Sequence, residues 1–423
     1  MTGRRTLLIM LLVCWMVPAS AHAATTIPVV VKLQIPANLS LINALLGGTV
    51  IDSMPETNTY LLRLPSVPVL SSTLKLLGVE WIEQDRGIAL PSNPRLSLLN
   101  VPWSNTSDWY KNQPAFQIVH ANDALAYSTG RGILIADINS RVDIGHPALQ
   151  GHIAAGYDFV AGRPSDAAAL NDDQSTAGFL DDDQSTAGFL DDDQSTAGFL
   201  DGRGVTLLAG TNLLGGGGAA DHGTFCAGLI AAAAPDASIM PLRAFDDNGN
   251  TDLFTLAKAI RYARRNGAQV INMSFGTLTD SKVLHEAIDY ARAGNVVLVA
   301  SAGNNNTAAP QYPAAYTGVL SVASTDELDL KSSFSNYGSS VFVDAPGSHI
   351  ISAVPGGGYS VANGTSFSAP MVAAMAALVR SLRYSDTATT ISNSTVKIDS
   401  RNWKYAGQLG YGRIDLLKAV KAK

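Results

Sequence analysis

Apolar residues follow two different spacings along this chain. Between residues 27 and 91 the runs are short. Val29–Leu33, Thr49–Ile51, Thr59–Leu64 and Val79–Ile82 read as strands, while Leu39–Leu46 and Val69–Leu77 have helical spacing. Asn38 caps the first of these helices, and Gly47 and Gly48 close it. The order β-α-β-β-α-β predicts a small α+β, ferredoxin-like unit. Residues 92–115 carry Pro94, Pro102 and Pro114 and read as a linker. From about residue 116, compact apolar strands alternate with longer helices. Ile133–Ile138, Ile239–Leu242, Val270–Met273, Val296–Ala300 and Val319–Val322 are the strands; Asp252–Asn266 and Asp280–Ala293 are the helices, the second stopped by Gly294. This alternation predicts an α/β fold with a parallel sheet covered by helices on both faces. In such sheets reactive groups gather where strands end and the next helices begin.

The first 23 residues break the pattern and read as a signal peptide. Arg4 and Arg5 are its positive start, Thr6–Val17 is apolar but too short to span a bilayer, and Ala21-His22-Ala23 suits cleavage. The expected location is therefore exported, periplasmic or extracellular, with no membrane attachment once the signal is removed. Cys226 is the one cysteine left after the leader, so no internal disulfide is expected. The formal net charge is −6, yet nine Asp fall within Asp172–Asp201, a stretch without Lys or Arg. Without those nine, 26 acidic residues face 29 basic ones, two of them in the leader. That balance points to neither nucleic acid nor an acidic substrate.

The Asp-rich stretch is a tandem repeat. NDDQSTAGFL, DDDQSTAGFL and DDDQSTAGFL occupy residues 171–200 and read as a duplicated surface insertion. Clustered carboxylates raise calcium, but each unit has one glycine and no GGxGxD pattern, so no calcium site is readable. A tolerated spacer in a surface loop is the first reading; the Phe-Leu pair closing each unit is unexplained by a spacer alone, which leaves contact with the domain or a partner as the second.

Four short boxes carry the chemistry. Asn363–Val372 reads NGTSFSAPMV: Ser366 stands among small residues just before a long apolar run, which suits a nucleophile in the first turn of a buried helix. Asp221–Gly228 reads DHGTFCAG and puts His222 at another small-residue helix start. Val299–Asn304 reads VASAGN, where Asn304 can offer an amide to an oxyanion beside Gly303. Asn272–Gly276 reads NMSFG at a strand end, where backbone groups can pair with an extended peptide.

HGTFCAG, SFG, SAGN and GTSFSAP, in this order, resemble subtilisin-like serine proteases of the subtilase family, over roughly residues 110–420 and including the terminal GYGRIDLLKAV. The 24–91 segment resembles, less specifically, that family's inhibitory and chaperone-like propeptide. The resemblance implies Ser366 as nucleophile, His222 as general base, and Asn304 with the Ser366 backbone N–H as oxyanion hole. It implies Ser274, Phe275 and Gly276, with Gly303, as the substrate-binding edge. It further implies polypeptide substrates, the propeptide as intramolecular inhibitor, and no cofactor for catalysis; structural calcium is a family habit only. The peptidase domain is expected over 116–423.

The acid box departs from the family pattern. Ile133–Pro147 reads ILIADINSRVDIGHP, and alignment on Asp143 and His146-Pro147 puts Asn139 where the orienting Asp belongs. Asp137 lies two residues earlier, on the same face of the strand and about 7 Å away. Three readings stay open. Asp137 reaches His222 or is bridged to it; or Asn139 takes the acid's place in a weakened triad, a change that costs about 10⁴ in kcat in a trypsin-type enzyme; or the domain is a catalytically weak or inactive binding relative. Retention of Ser366, His222 and Asn304 together favours activity. Phe225, where the family usually has a second His, and Phe367 are further departures. The expected function is a secreted serine endopeptidase with an atypical acid position.

Overall fold

The computed structural model describes residues 26–90, 97–100, 110–165, 206–208, 221–384 and 386–422. The expected signal peptide, the repeat at 171–200 and most of the expected linker lie outside these residues. The chain divides into two units, one ending at Gln84 and one starting at Asp85.

In the first unit, strand β1 (Ile27–Leu33) leads to helix α1 (Leu39–Leu46), strands β2 (Thr49–Met54) and β3 (Thr59–Leu64), helix α2 (Ser72–Leu76) and strand β4 (Val79–Gln84). The four strands form an antiparallel sheet in the order β2-β3-β1-β4, the order of a ferredoxin-like module. Alternation sends Val29, Val31 and Leu33 of β1 and Leu62 and Leu64 of β3 into one core with Ile42 of α1 and Leu74 of α2. α1 stops at Gly47, whose φ of +66° is open to a residue without Cβ. α2 starts at Ser71, whose hydroxyl accepts the Leu74 N–H at 3.3 Å.

The second unit opens with strands β5 (Gly87–Ala89) and β6 (Ser97–Asn100), so the stretch expected as propeptide end and linker contributes two paired strands here. Short helices α3 (Pro114–Ile118) and α4 (Ala121–Ala124) precede β7 (Leu134–Asn139), β8 (Gly156–Asp158), β9 (Arg163–Ser165) and β10 (Thr206–Leu208). Then come α5 (His222–Ala233), β11 (Ser238–Arg243), β12 (Asn250–Asp252), α6 (Leu253–Arg265), β13 (Val270–Met273), α7 (Lys282–Ala293), β14 (Val297–Ser301) and β15 (Val319–Thr325). β16 (Val343–Pro346), β17 (Ile350–Val354), β18 (Gly358–Ala362), α8 (Thr365–Ser381), α9 (Thr387–Asn393) and α10 (Leu416–Val420) complete it.

Eight strands form the central sheet, in the order β16-β15-β14-β13-β7-β11-β8-β9; all neighbours are parallel except β8 and β9. α5 and α8 share one core with Ile135, Val270, Val299 and Val322. They are buried almost all round, from His222 to Ala233 and from Thr365 to Val379, which suits their Ala- and Gly-rich sequences. α6 and α7 are amphipathic and pack on each other, with Asp252 and Ser281 as N-caps. Because strand residues alternate, Asp137, Asn139 and Asn272 share the α5/α8 face with Ile135 and Val270. The carboxyl ends of β7, β13 and β14 therefore converge on the first turns of α5 and α8.

Candidate active site

Each functional group is placed by a strand end or a helix start. β7 ends at Asn139 and β13 at Met273, and their register sets Asn272 directly beside Asp137. α5 begins at His222. Gly223 follows it because a Cβ there would sit 2.5 Å from the carbonyl oxygens of Ser140 and Arg141; its N–H donates to the Ser140 hydroxyl at 3.0 Å. The start of α5 is thus pinned to the end of β7. Ser366 is the second residue of α8.

At the centre is a buried polar chain. His222 Nδ1 lies 2.7 Å from Asn139 Oδ1, which also accepts the Ser140 N–H at 2.9 Å. Asn139 Nδ2 donates to both Asp137 oxygens, at 3.3 and 3.4 Å. Asn272 Nδ2 donates to Asp137 Oδ1 at 2.8 Å and to Ser274 Oγ at 3.0 Å. A carboxylate accepts only, so it claims the NH₂ side of the Asn139 amide and turns Oδ1 toward the imidazole. Oδ1 then holds the Nδ1–H tautomer and leaves the Nε2 lone pair free for a proton. His222 Nε2 is buried and has no partner among the described residues.

Burial sets the proton affinities. Asp137 is fully buried, and desolvation lifts its pKa to about 6, opposed by the hydrogen bonds from Asn272 and Asn139. Desolvation lowers His222 to about 4. Both groups are therefore in their working forms, carboxylate and neutral imidazole, at neutral pH.

Pro370 shapes the surroundings of Ser366. It lies inside α8 and lacks the N–H that would bond the Ser366 carbonyl four residues back. The Ser274 hydroxyl supplies the missing donor at 2.8 Å, and the Cys226 thiol lies 3.5 Å from the same oxygen. Cys226 is fully buried, 3.8 Å from His222 Nδ1, and burial raises its pKa well above the usual thiol range. Ser366 Oγ itself donates to the Ser274 carbonyl at 3.2 Å. It must swing from there to engage His222, a tightening common when substrate enters.

Asn304 stands across the same cleft. Its Oδ1 accepts from the Thr365 N–H at 2.9 Å and the Thr365 hydroxyl at 2.8 Å. The amide is thereby fixed with Nδ2 as its remaining donor. A cavity of about 280 Å³ joins Asn304 and Ser366 to Phe275, Gly276, Gly303 and Gln311. A Cβ at Gly276 or Gly303 would collide with the Gln311 amide, which lies between these two walls. Asn336 Nδ2 steadies that amide by donating to Gln311 Oε1 at 3.3 Å. Ala89 of β5 also lines the cavity. β5 runs antiparallel to β12, and the Leu90 N–H donates to the Gly249 carbonyl at 2.8 Å.

The structure thus brings Asp137, Asn139, His222, Ser274, Asn304 and Ser366 together, with Phe275, Gly276 and Gly303 on the cavity wall. Ser274 is buried behind that wall rather than on its surface. Sequence reasoning missed Asn272, Thr365 and Gln311 and gave Cys226 no position. Asn272 and Thr365 stand inside the quoted boxes, but their partners follow only from strand register and helix placement. Gln311 carries no motif. Among the described residues no group of three or more His, Cys, Asp or Glu is placed to hold a metal ion.

A serine, a tautomer-fixed histidine and a free amide donor around one cleft define the site class of a serine hydrolase. Residues 130–399 match the Subtilase family of peptidases. The chain is 34% identical over 317 residues to Thermitase of Thermoactinomyces vulgaris, covering 72% of this chain and 94% of that protein. It is 32% identical over 328 residues to the Thermophilic serine proteinase of Bacillus sp. (strain AK1), covering 73% and 68%. In fold it is similar to fervidolysin from Fervidobacterium pennivorans, described as a keratinolytic enzyme related to subtilisin. That match has a TM-score of 0.67 and 24% identity, and covers 95% of this chain and 61% of that one. The chain belongs to the subtilase family.

Proposed function

We propose that this chain is an exported serine endopeptidase whose acid acts through an amide. The carrying observation is the orientation of Asn139, with Oδ1 on His222 and Nδ2 on Asp137. Ser366 Oγ attacks the peptide carbonyl as its proton passes to His222 Nε2. Asn304 Nδ2 and the Ser366 N–H stabilise the oxyanion. His222 then gives the proton to the leaving amine, and the amine departs from the acyl-enzyme. Water attacks the ester with His222 again as base, and the second intermediate collapses to the acid and free Ser366. Throughout, Asn139 holds the imidazole's tautomer, and the Asp137 charge favours the imidazolium from the far side of the Asn139 amide.

Residues 24–91 serve as propeptide. The pairing of β5 with β12 and the position of Ala89 beside Ser366 and Asn304 support this, because a strand lying there excludes substrate. Maturation removes residues 24 to about 105 by the chain's own activity. Export rests on the leader at 1–23; among the described residues no helix is long and apolar enough to cross a membrane. The reading as an inactive binding relative has no support from the comparisons.

A fluorophosphonate probe tests the proposal. Processed protein is expected to label at Ser366, and Ser366→Ala to abolish both labelling and self-processing. Absence of Ser366-dependent labelling in folded, processed protein sinks the enzyme reading.

A further inference from the structure

Among the described residues a charged concavity lies at the opposite end of the sheet from Ser366. A cleft of about 560 Å³ opens where β14 and β15 begin, under the last turn of α8. That volume falls in the range of built ligand sites and is twice that of the active-site cavity. Arg380 lies in the last turn of the helix whose first turn holds Ser366, fourteen positions on and roughly 21 Å along its axis.

Three guanidiniums, Arg292, Arg380 and Arg383, face one lining carboxylate, Asp386. Asp386 is already engaged: it caps α9, accepting the Thr389 N–H at 3.0 Å and the Thr389 hydroxyl at 2.7 Å. Arg292 reaches the cleft because Gly318 lacks a side chain; a Cβ there would sit 2.5 Å from Arg292 Cδ. Its ion pair with Asp289, at 2.9 Å, is half exposed and weak. Neither Arg380 nor Arg383 pairs with any described residue, and Arg380 is partly buried. Desolvation lowers the Arg380 pKa, the mark of a cation short of a counter-charge. Leu320, Val297 and Ala388 add a smaller apolar part to a lining that is mostly polar. Cations beside a few apolar side chains suit an acidic segment that also carries apolar ones.

The chain holds three copies of such a segment. The decapeptides of residues 171–200 open on Asn-Asp-Asp once and Asp-Asp-Asp twice, close on Phe-Leu and contain no cation. We propose that the arginine cleft is a docking site for an acidic, apolar-tailed peptide, and that the DDDQSTAGFL unit is its occupant. Carboxylates meet Arg380 and Arg383, and the Phe-Leu pair rests on Leu320, Val297 and Ala388. The forty residues between Ser165 and Thr206 span up to about 130 Å when extended, ample to reach across the sheet.

The test uses Ser366→Ala protein, so that no peptide is digested. With residues 171–200 deleted and the fold checked by thermal melting, synthetic DDDQSTAGFL is expected to bind. Arg380→Gln/Arg383→Gln should weaken that binding about ten-fold or more, as expected for lost charge-assisted hydrogen bonds. In the full chain, the same double substitution should speed Asp-N cleavage within 171–200 several-fold. Equal binding of NNNQSTAGFL overturns the proposal, as does binding of inorganic phosphate with no binding of the peptide. An unchanged Asp-N rate overturns it in the full chain even if the deletion variant fails to fold.

Discussion

Replacing Asp137 by Asn keeps the side chain's volume and removes its charge and its acceptor-only character. Two losses follow. Asn139 stands between the carboxylate and the imidazole, 3.3 Å from the first and 2.7 Å from the second, so at a separation of roughly 7 Å and an effective dielectric of about 20 the charge contributes about 2 kcal/mol to the imidazolium. The amide of Asn139 also loses its reason to face one way, and an Nδ2 turned to His222 would select the wrong tautomer. The expected fall in kcat at pH 8 is therefore about 10²-fold or more, with KM little changed. Stability should move the other way. Burial raises the Asp137 pKa from 3.8 to about 6, so the charged form opposes folding. Unfolding free energy contributed by this group falls as pH rises from about 4 to 6, by about 3 kcal/mol, and stays low above that. In a Ser366→Ala background, urea titrations at pH 4 and pH 7 should show this decline with Asp137 present and not with Asn. The activity profile carries the same signature: its rising limb should lie near pH 6, set by Asp137, rather than near 4, where His222 titrates. Full activity in Asp137→Asn, or an unaltered pH dependence of stability, would refute the reasoning.

Asn139→Asp alone should raise kcat/KM by less than about ten-fold, because two buried carboxylates about 3 Å apart cannot both ionise; steady-state assays showing a gain of a hundred-fold would mean that Asp137 contributes nothing. Combining Asn139→Asp with Asp137→Asn should exceed either single variant in the same assay. Asn304→Ala should lower kcat about 10²–10³-fold, the range for a lost oxyanion donor in a subtilisin, with KM nearly constant; a change confined to KM would argue against an oxyanion role. Gln311→Ala should deepen the 280 Å³ cavity and shift peptide-anilide preference at the cleaved residue toward larger side chains, and an unchanged preference would remove Gln311 from the specificity wall.

Most of the architecture was legible in order and spacing. The four strands of the first unit and β7, β11, β13, β14 and β15 of the central sheet followed from short apolar runs, and α6 and α7 from amphipathic spacing with caps and a closing glycine, because these signals are local; β16–β18 and the short strands were not foreseen. Ser366, His222 and Asn304 stood out for a related reason: small residues must flank a nucleophile, and helix starts and strand ends must carry the polar groups. The acid position was not legible. Spacing alone put Asp137 and Asn139 on one strand face and left three readings open. Which atom faces His222 depends on an amide rotamer, and that rotamer is set by Asp137 in contact with Asn272 of a neighbouring strand, 135 positions away. The role of Pro370 was hidden in the same way, since the donor replacing its missing N–H is Ser274, 92 positions from Ser366. Gln311 between two glycine walls, and two arginines beneath the far end of α8, carried no motif at all. By itself the sequence determined elements and chemical groups, which depend on near neighbours. The tertiary structure alone decided orientation and partnership, because hydrogen-bond direction and desolvation arise only where distant strands and helices meet.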